Sequence, residues 1–259
     1  MVELRCMKKW IYRLLLIVCI CVFSYSAYNL WDIYSQKHQV EKETKQLEEK
    51  VIKKEKTEKD NTQKNILNPD WKSLKETNSD IVAWLYVPDC DISFPVVQAM
   101  DNKYYLNHTV NGEYNVRGSI FLDANADPQF QNDNSIIYGH SVEGGGMFTL
   151  LKNYCDETFF NEHSTFYLLT PDGNYKCNVF SFAKTTEDSV FYTTSFQNDF
   201  QEVLHSMEQA ATYSNELKDT SSRFVSLSTC DLDYGFDSNH RFVLTGQLVK
   251  SEDDIVLED

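Results

Sequence analysis

Apolar positions along this chain fall into three regimes. From Leu14 to Leu30 they form a nearly unbroken run of about 17 residues, close to the shortest helix that spans a bilayer. From Gln36 to Lys64, Lys, Glu, Gln and Thr dominate. Val40, Thr44, Leu47 and Val51 alternate spacings of four and three there, room for two heptads of coiled coil. The seam is poor in apolar residues, so the pattern predicts a solvated helical or disordered stalk. From Asn68 onward the pattern shortens and becomes strand-like.

In that last regime Ile81–Val87 and Ile92–Val97 read as strands. So do Ser119–Leu122, Ser135–Tyr138, Thr165–Leu169, Tyr175–Phe182, Phe224–Ser228 and Phe242–Val249, all rich in β-branched and aromatic residues. Pro171-Asp172-Gly173-Asn174 predicts a hairpin turn. Asn68 and Pro69 fit the cap and first position of a short helix that turns Trp71 and Leu74 to the core. Met147–Tyr154 and Asp199–Ala211 are further helical stretches, the second with Phe200, Val203, Leu204, Met207 and Ala211 on one face. Eight short strands with few helices predict a mostly β, closed or nearly closed mixed barrel, not a doubly wound sheet.

The expected organisation is therefore 1–35 as a cytoplasmic N-terminus and single transmembrane anchor, 36–67 as stalk, and 68–259 as an extracellular domain. Arg5, Lys8, Lys9 and Arg13 precede the apolar run, and Trp10 and Trp31 flank it. Positive charge on that side places the N-terminus in the cytoplasm and the bulk of the chain outside. A cleaved signal peptide competes, but Ser24 and Ser26 make a weak cleavage site. A lipid anchor is disfavoured, because Val18 and Ile20 precede Cys19 and Cys21.

Charge narrows the function classes. The net charge is −15, yet residues 1–64 carry 13 Lys/Arg against 9 Asp/Glu, leaving −19 for the remainder. Such a domain repels phosphate backbones, so nucleic acid is excluded as a partner. Three of the seven cysteines, Cys6, Cys19 and Cys21, lie in or beside the apolar run. The other four, Cys90, Cys155, Cys177 and Cys230, match neither a zinc pattern nor a disulfide scaffold. No histidine pair has metal-ligand spacing, and no metal or cofactor is expected. Asp231, Asp233 and Asp237 offer oxygens for calcium, but no EF-hand pattern surrounds them.

Two segments carry candidate chemistry. Ser226-Leu227-Ser228-Thr229-Cys230 ends a strand on a cysteine, a polar loop follows, and Arg241 opens the next strand. Ser135-Ile136-Ile137-Tyr138 runs as a strand into Gly139-His140-Ser141, with Gly144-Gly145-Gly146 beyond. Taken singly, a strand-end cysteine is most often a small buried hydrophobe, and a strand-end histidine is as often structural.

Together these segments resemble the sortases. Ser-Leu-Ser-Thr-Cys230 followed by Arg241 is similar to the Thr/Ser-Leu-x-Thr-Cys…Arg signature of that family, and Ile-Ile-Tyr-Gly-His140 to its histidine motif. The similarity runs from about Trp71 to Val249. Asn78–Leu85, Pro95–Gln98, Asp101–His108, Gly118–Asp123 and the Asp199–Ala211 helix resemble class B in particular. The resemblance implies an eight-stranded closed barrel with an N-terminal helix and a helix between the sixth and seventh strands. It implies a membrane-bound cysteine transpeptidase of Gram-positive cell walls. Such an enzyme cleaves an Asn-Pro-x-Thr-like sorting motif after Thr through a thioester on Cys230. It then transfers the surface protein to an amine of a lipid-linked cell-wall precursor.

The chemistry suits those residue types. Thiolate is the competent nucleophile, and a free thiol with pKa of about 8.5 is mostly protonated at neutral pH. His140 can hold the thiolate as an imidazolium partner and protonate the leaving amine. Arg241 keeps its charge and can hydrogen-bond the oxyanion. The resemblance also implies Asn102, Leu106, Tyr138 and Ser228 as groove residues, with Thr185, Thr186 and Phe191 as another wall. Competing readings are a pilin-polymerising sortase, a secreted cysteine protease, and a catalytically silent surface-binding module. The papain order, Cys before His, is reversed here.

Overall fold

The computed structural model describes residues 2–56, 63–142, 144–197, 199–217, 223–235 and 238–257. The chain divides into two compact units, Met1–Lys42 and Glu43–Asp259. Helix α1 (Val2–Glu48) is continuous, and its apolar part is long enough to cross a membrane. A hairpin of β1 (Ile52–Lys56) and β2 (Gln63–Leu67) follows. Then come α2 (Trp71–Thr77), β3 (Ile81–Val87), β4 (Ile92–Val97), β5 (Ile120–Leu122) and β6 (Asn134–Tyr138). A 3-10 segment, Thr149–Cys155, leads into α3 (Glu157–Glu162), β7 (Thr165–Thr170) and β8 (Gly173–Thr186). Helix α4 (Phe200–Ala210), the short β9 (Tyr213–Ser214), β10 (Phe224–Cys230), β11 (His240–Ser251) and β12 (Ile255–Val256) complete the chain.

Eight strands close the barrel in the order β11-β10-β6-β5-β4-β3-β7-β8, and β8 pairs back onto β11. The pairs β4–β5 and β6–β10 are parallel and the rest antiparallel, so the barrel is mixed. Among barrel strands, α4 falls between the sixth and seventh, as expected. Pro171 and Asp172 form the tight turn between β7 and β8.

Among the described residues, two apolar clusters coat the barrel. Leu204 and Met207 of α4 are buried with Phe180, Phe224 and Val243, and Phe200, Val203 and Ala211 pack beside them. The helix therefore buries the face its spacing predicted. The second cluster joins Leu74 of α2 and Trp84 of β3 to Leu67 and Ile255. Because both outer and inner faces are covered, every position of β3 is buried.

The expected stalk differs from what forms. The second compact unit starts at Glu43, not Asn68, and Leu47 and Val51 are buried in the cluster around Trp84. Strands β1 and β2 pair with each other, and β12 pairs with β2 to make a small three-stranded sheet. The charged sequences IKKEK and QKNIL hide this hairpin, because its third strand comes from the far end of the chain. Helix α2 also starts later than expected: Asp70 caps it, its carboxylate accepting from Ser73 N at 3.2 Å. Asn68 N instead donates to Val51 O at 2.7 Å, which ties the entry to the hairpin.

Candidate active site

Strand register brings the chemical residues together. On antiparallel neighbours β10 and β11, Cys230 lies directly opposite Arg241. Residues so paired project from the same face of a sheet. On the other side of β10, Ser228 pairs with Tyr138 of parallel β6, and Gly139 N donates to Ser228 O at 3.1 Å. Two residues further along stand Cys230, the last residue of β10, and His140, two past the end of β6. Their neighbours lock that alignment, since Thr229 Oγ1 and Ser141 Oγ are buried 3.0 Å apart.

His140 is fixed from another direction. Its Nε2 lies 2.8 Å from Leu106 O. A carbonyl only accepts, so Nε2 carries a proton and Nδ1 is the ring nitrogen left out of this bond. Leu106 ends the 3-10 turn Tyr104–Leu106, which is pressed against Gly118. At that glycine φ is +58°, and a Cβ would lie 2.4 Å from Tyr105 O and 2.6 Å from Leu106 O. Only glycine allows so close a backbone approach.

Arg241 is held on three sides. Nη1 donates to Ser238 O and His240 O, each at 2.8 Å, and Nη2 pairs with Glu187 at 2.9 Å. Cys230, His140 and Arg241 line one cavity of about 280 Å3. Asn102, Leu106, Tyr138 and Ser228 line the same cavity. Asp123 organises two of these: its Oδ2 accepts from Asn102 Nδ2 at 2.8 Å and from Tyr138 OH at 3.1 Å. Burial, reinforced by the Asp123 charge, pushes the Tyr138 phenol well above its ordinary value. Ser228 Oγ is 2.7 Å from Tyr192 OH, whose pKa is raised chiefly by burial.

Three expected wall residues lie elsewhere. Phe191 is completely buried beneath α4 and lines neither cavity at Cys230. Its main chain anchors the segment, with Asn134 Nδ2 donating to Phe191 O at 2.9 Å. Thr185 and Thr186 sit on β8 opposite Arg241 and His240, and the Thr186 hydroxyl bonds Asp188. The cavity wall is instead completed by Glu187, Phe121 and Thr229. An acidic residue in a loop carries no pattern that would mark Glu187. Asp123 was visible as the last residue of the Gly118–Asp123 motif, without its role. Among the described residues no group of His, Cys, Asp and Glu is placed to hold a metal ion, and Asp237 lies outside them.

Cys230 also lines a larger cavity of about 730 Å3, shared with the Thr149–Cys155 segment, the start of α3 and Asp231–Asp233. Cys90, Cys155, Cys177 and Cys230 are all free thiols. Burial pushes the Cys90 thiol up to about 12 and raises Cys177 strongly, so both are inert at neutral pH.

Comparison with known proteins agrees with this geometry. Residues 85–249 match the sortase domain family. Sortase B of Listeria monocytogenes is 35% identical over 181 residues, covering 69% of this chain and 73% of that protein. A Bacillus anthracis sortase B crystal structure superposes with TM-score 0.71 at 30% identity, covering 84% of this chain and all of that one. A Staphylococcus aureus sortase B–substrate complex gives 0.65 at 31% identity, covering 70% of this chain and 84% of that one. The closed eight-stranded barrel and the sequence that builds it thus have relatives to match, and the chain belongs to the sortase family, as a class B cysteine transpeptidase.

Proposed function

We propose that Cys230 is the nucleophile, His140 its proton-transfer partner and Arg241 the oxyanion donor in anchoring surface proteins to the cell wall. The observation that carries this reading is the single cavity on which all three converge with Asn102, Leu106, Tyr138 and Ser228. In this reading the cavity receives a sorting motif of Asn-Pro-x-Thr type, in keeping with the S. aureus relative, a sortase B–substrate complex.

The reactive form pairs a Cys230 thiolate with a His140 imidazolium. The thiolate attacks the carbonyl carbon after Thr, and charge moves to the carbonyl oxygen, where Arg241 donates. The C–N bond breaks as His140 gives its proton to the leaving amine. A thioester on Cys230 and a neutral His140 remain. An amine of the lipid-linked wall precursor then attacks the thioester. Helix α1, long and apolar enough to span a bilayer, fits a single-pass anchor that keeps the domain at the outer surface, where that precursor is found.

The test is intact mass of the full chain in detergent, wild type and Cys230→Ala, mixed with a panel of Asn-Pro-x-Thr peptides. The expected result is an acyl adduct on the wild type only, discharged by added amine. A folded wild type with an alkylatable Cys230 and no adduct across the panel would refute the proposed motif.

A further inference from the structure

Two pieces of backbone hold His140, and both lead back to one short segment. The ring is bonded to Leu106 O, which packs on Gly118. The main chain is tied by the turn that follows. Phe148 N donates to His140 O at 3.0 Å, and Thr149 Oγ1 lies 3.0 Å from Val142 N and 3.2 Å from Val142 O. Between those ties run Gly144, Gly145 and Gly146 at φ +83°, +80° and +87°, with Met147 next at +50°. Glycine loses more freedom on ordering than any other residue, so the sequence of this turn favours no single path.

Arg117 supplies a path. It immediately precedes Gly118, it is only 6% exposed, and its backbone N donates to Asn115 Oδ1 at 3.0 Å. Its Nη1 donates to Gly145 O at 2.9 Å. The guanidinium also lies beside both flanking glycines. A Cβ on Gly144 would stand 3.7 Å from Nη2, and one on Gly146 would stand 3.9 Å from Nη1. Burying a cation is costly unless it is hydrogen-bonded, and a guanidinium offers its donors in a rigid planar fork.

We infer that Arg117 is a positioning residue for proton transfer, holding the glycine turn beyond His140 in register with the carbonyl that bonds the ring. The inference rests on the role of His140 proposed above. Arg117 lines neither cavity at Cys230, so it acts through His140 and not on the peptide. Because Arg117 and Gly118 are adjacent, one segment carries both supports, and a shift of either moves the imidazole. Proton transfer needs heavy atoms within about 2.6–3.2 Å. A misplacement of about 1 Å can cost about 10²-fold.

The test compares Arg117→Met, which fills the space without a donor, with Arg117→Lys, which keeps one, in the full chain in detergent. Single-turnover thioester formation is followed by intact mass against the concentration of an Asn-Pro-x-Thr peptide. It yields a maximal rate, a half-saturating concentration and an amplitude. Arg117→Met is expected to lose about 10–10²-fold in maximal rate, with half-saturation changed by no more than about twofold. Arg117→Lys should stand between Arg117→Met and the wild type. A merely structural residue would lower the amplitude, which reports the folded fraction, and leave the rate of the folded molecules intact; that result overturns the inference. A second measurement needs no turnover. In protein labelled with 15N-histidine, the Nε2–H resonance of His140, identified by its loss in His140→Ala, should shift in Arg117→Met. A resonance identical to that of the wild type would overturn the link between Arg117 and the ring. A wild type that forms no thioester removes the role proposed for His140, and the resonance then decides the position of the ring by itself.

Discussion

Arg241 enters the cavity with three hydrogen bonds already committed. Two go to backbone carbonyls of Ser238 and His240, and one to the carboxylate of Glu187, a side chain that is largely exposed. The backbone pair sets the guanidinium plane, and an exposed partner adds little. Arg241→Lys cannot reproduce that fork. Its thioester formation, measured in a single turnover, is expected to fall about 10²–10³-fold. Glu187→Gln should lose only a few-fold by the same assay, and a loss as large as that of Arg241→Lys would mean that the carboxylate sets the plane. A second residue-scale prediction follows from Cys90. Its folded pKa is raised from 9.0 to about 12, chiefly by burial. Below pH 9 the thiol is protonated in both states and its contribution to stability is complete. Between pH 9 and about 12 only the unfolded chain releases the proton, so stability falls by at most about 1.4 kcal/mol per pH unit. Urea unfolding in reductant should show this decline, and Cys90→Ala should show a shallower slope over the same window.

At the level of elements, the site depends on where strands end. The strand-end positions of Cys230 and His140 were legible because β-branched and aromatic runs stop at polar, glycine-containing segments. Their being neighbours followed only from the resemblance to the sortases, since parallel pairing of β6 with β10 is a property of the closed barrel. Nor did the sequence mark Leu106 O as the group that holds His140, because a backbone carbonyl has no residue signature. Phe191 misled for a related reason. A single aromatic in a connecting segment suits a groove wall or a core equally, and only the packing of α4 decides. Phe191→Ala is therefore expected to cost about 3–5 kcal/mol in chemical unfolding. At a temperature where the variant stays folded, peptide KM should change little. Gly118→Ala probes the opposite coupling. A methyl group there runs into the carbonyls of Tyr105 and Leu106, in a backbone conformation that costs a non-glycine residue about 1–2 kcal/mol before any clash. The carbonyl that moves is the one bonded to His140. Thioester formation should accordingly drop more than the remaining folded fraction explains, with circular dichroism reporting that fraction.

On the scale of the whole molecule, the boundary of the catalytic unit has a stability consequence. Composition places that boundary at Asn68, where charge-rich sequence gives way to apolar runs. The packing places it at Glu43. Leu47, Val51 and Leu67 are each at most 3% exposed, and they share a cluster with Leu74, Trp84 and Ile255. Removing residues 1–67 deletes those three side chains and strips β12 of its strand partner β2. It also exposes Trp84 and Leu74, which are fully buried in the intact unit. Each buried Leu or Val side chain returned to water costs about 1.5–3 kcal/mol, so the three together cost several. Part of that loss is offset by the conformational entropy that the deleted segment no longer gives up. Fragment 43–259 is thus expected to unfold at clearly higher urea concentration than fragment 68–259. Both retain Cys230, His140 and Arg241, so the thioester formed per folded molecule should be similar in the two. Equal urea midpoints would mean that the small sheet merely rests on the barrel, and that the catalytic unit does begin where the charge pattern changes.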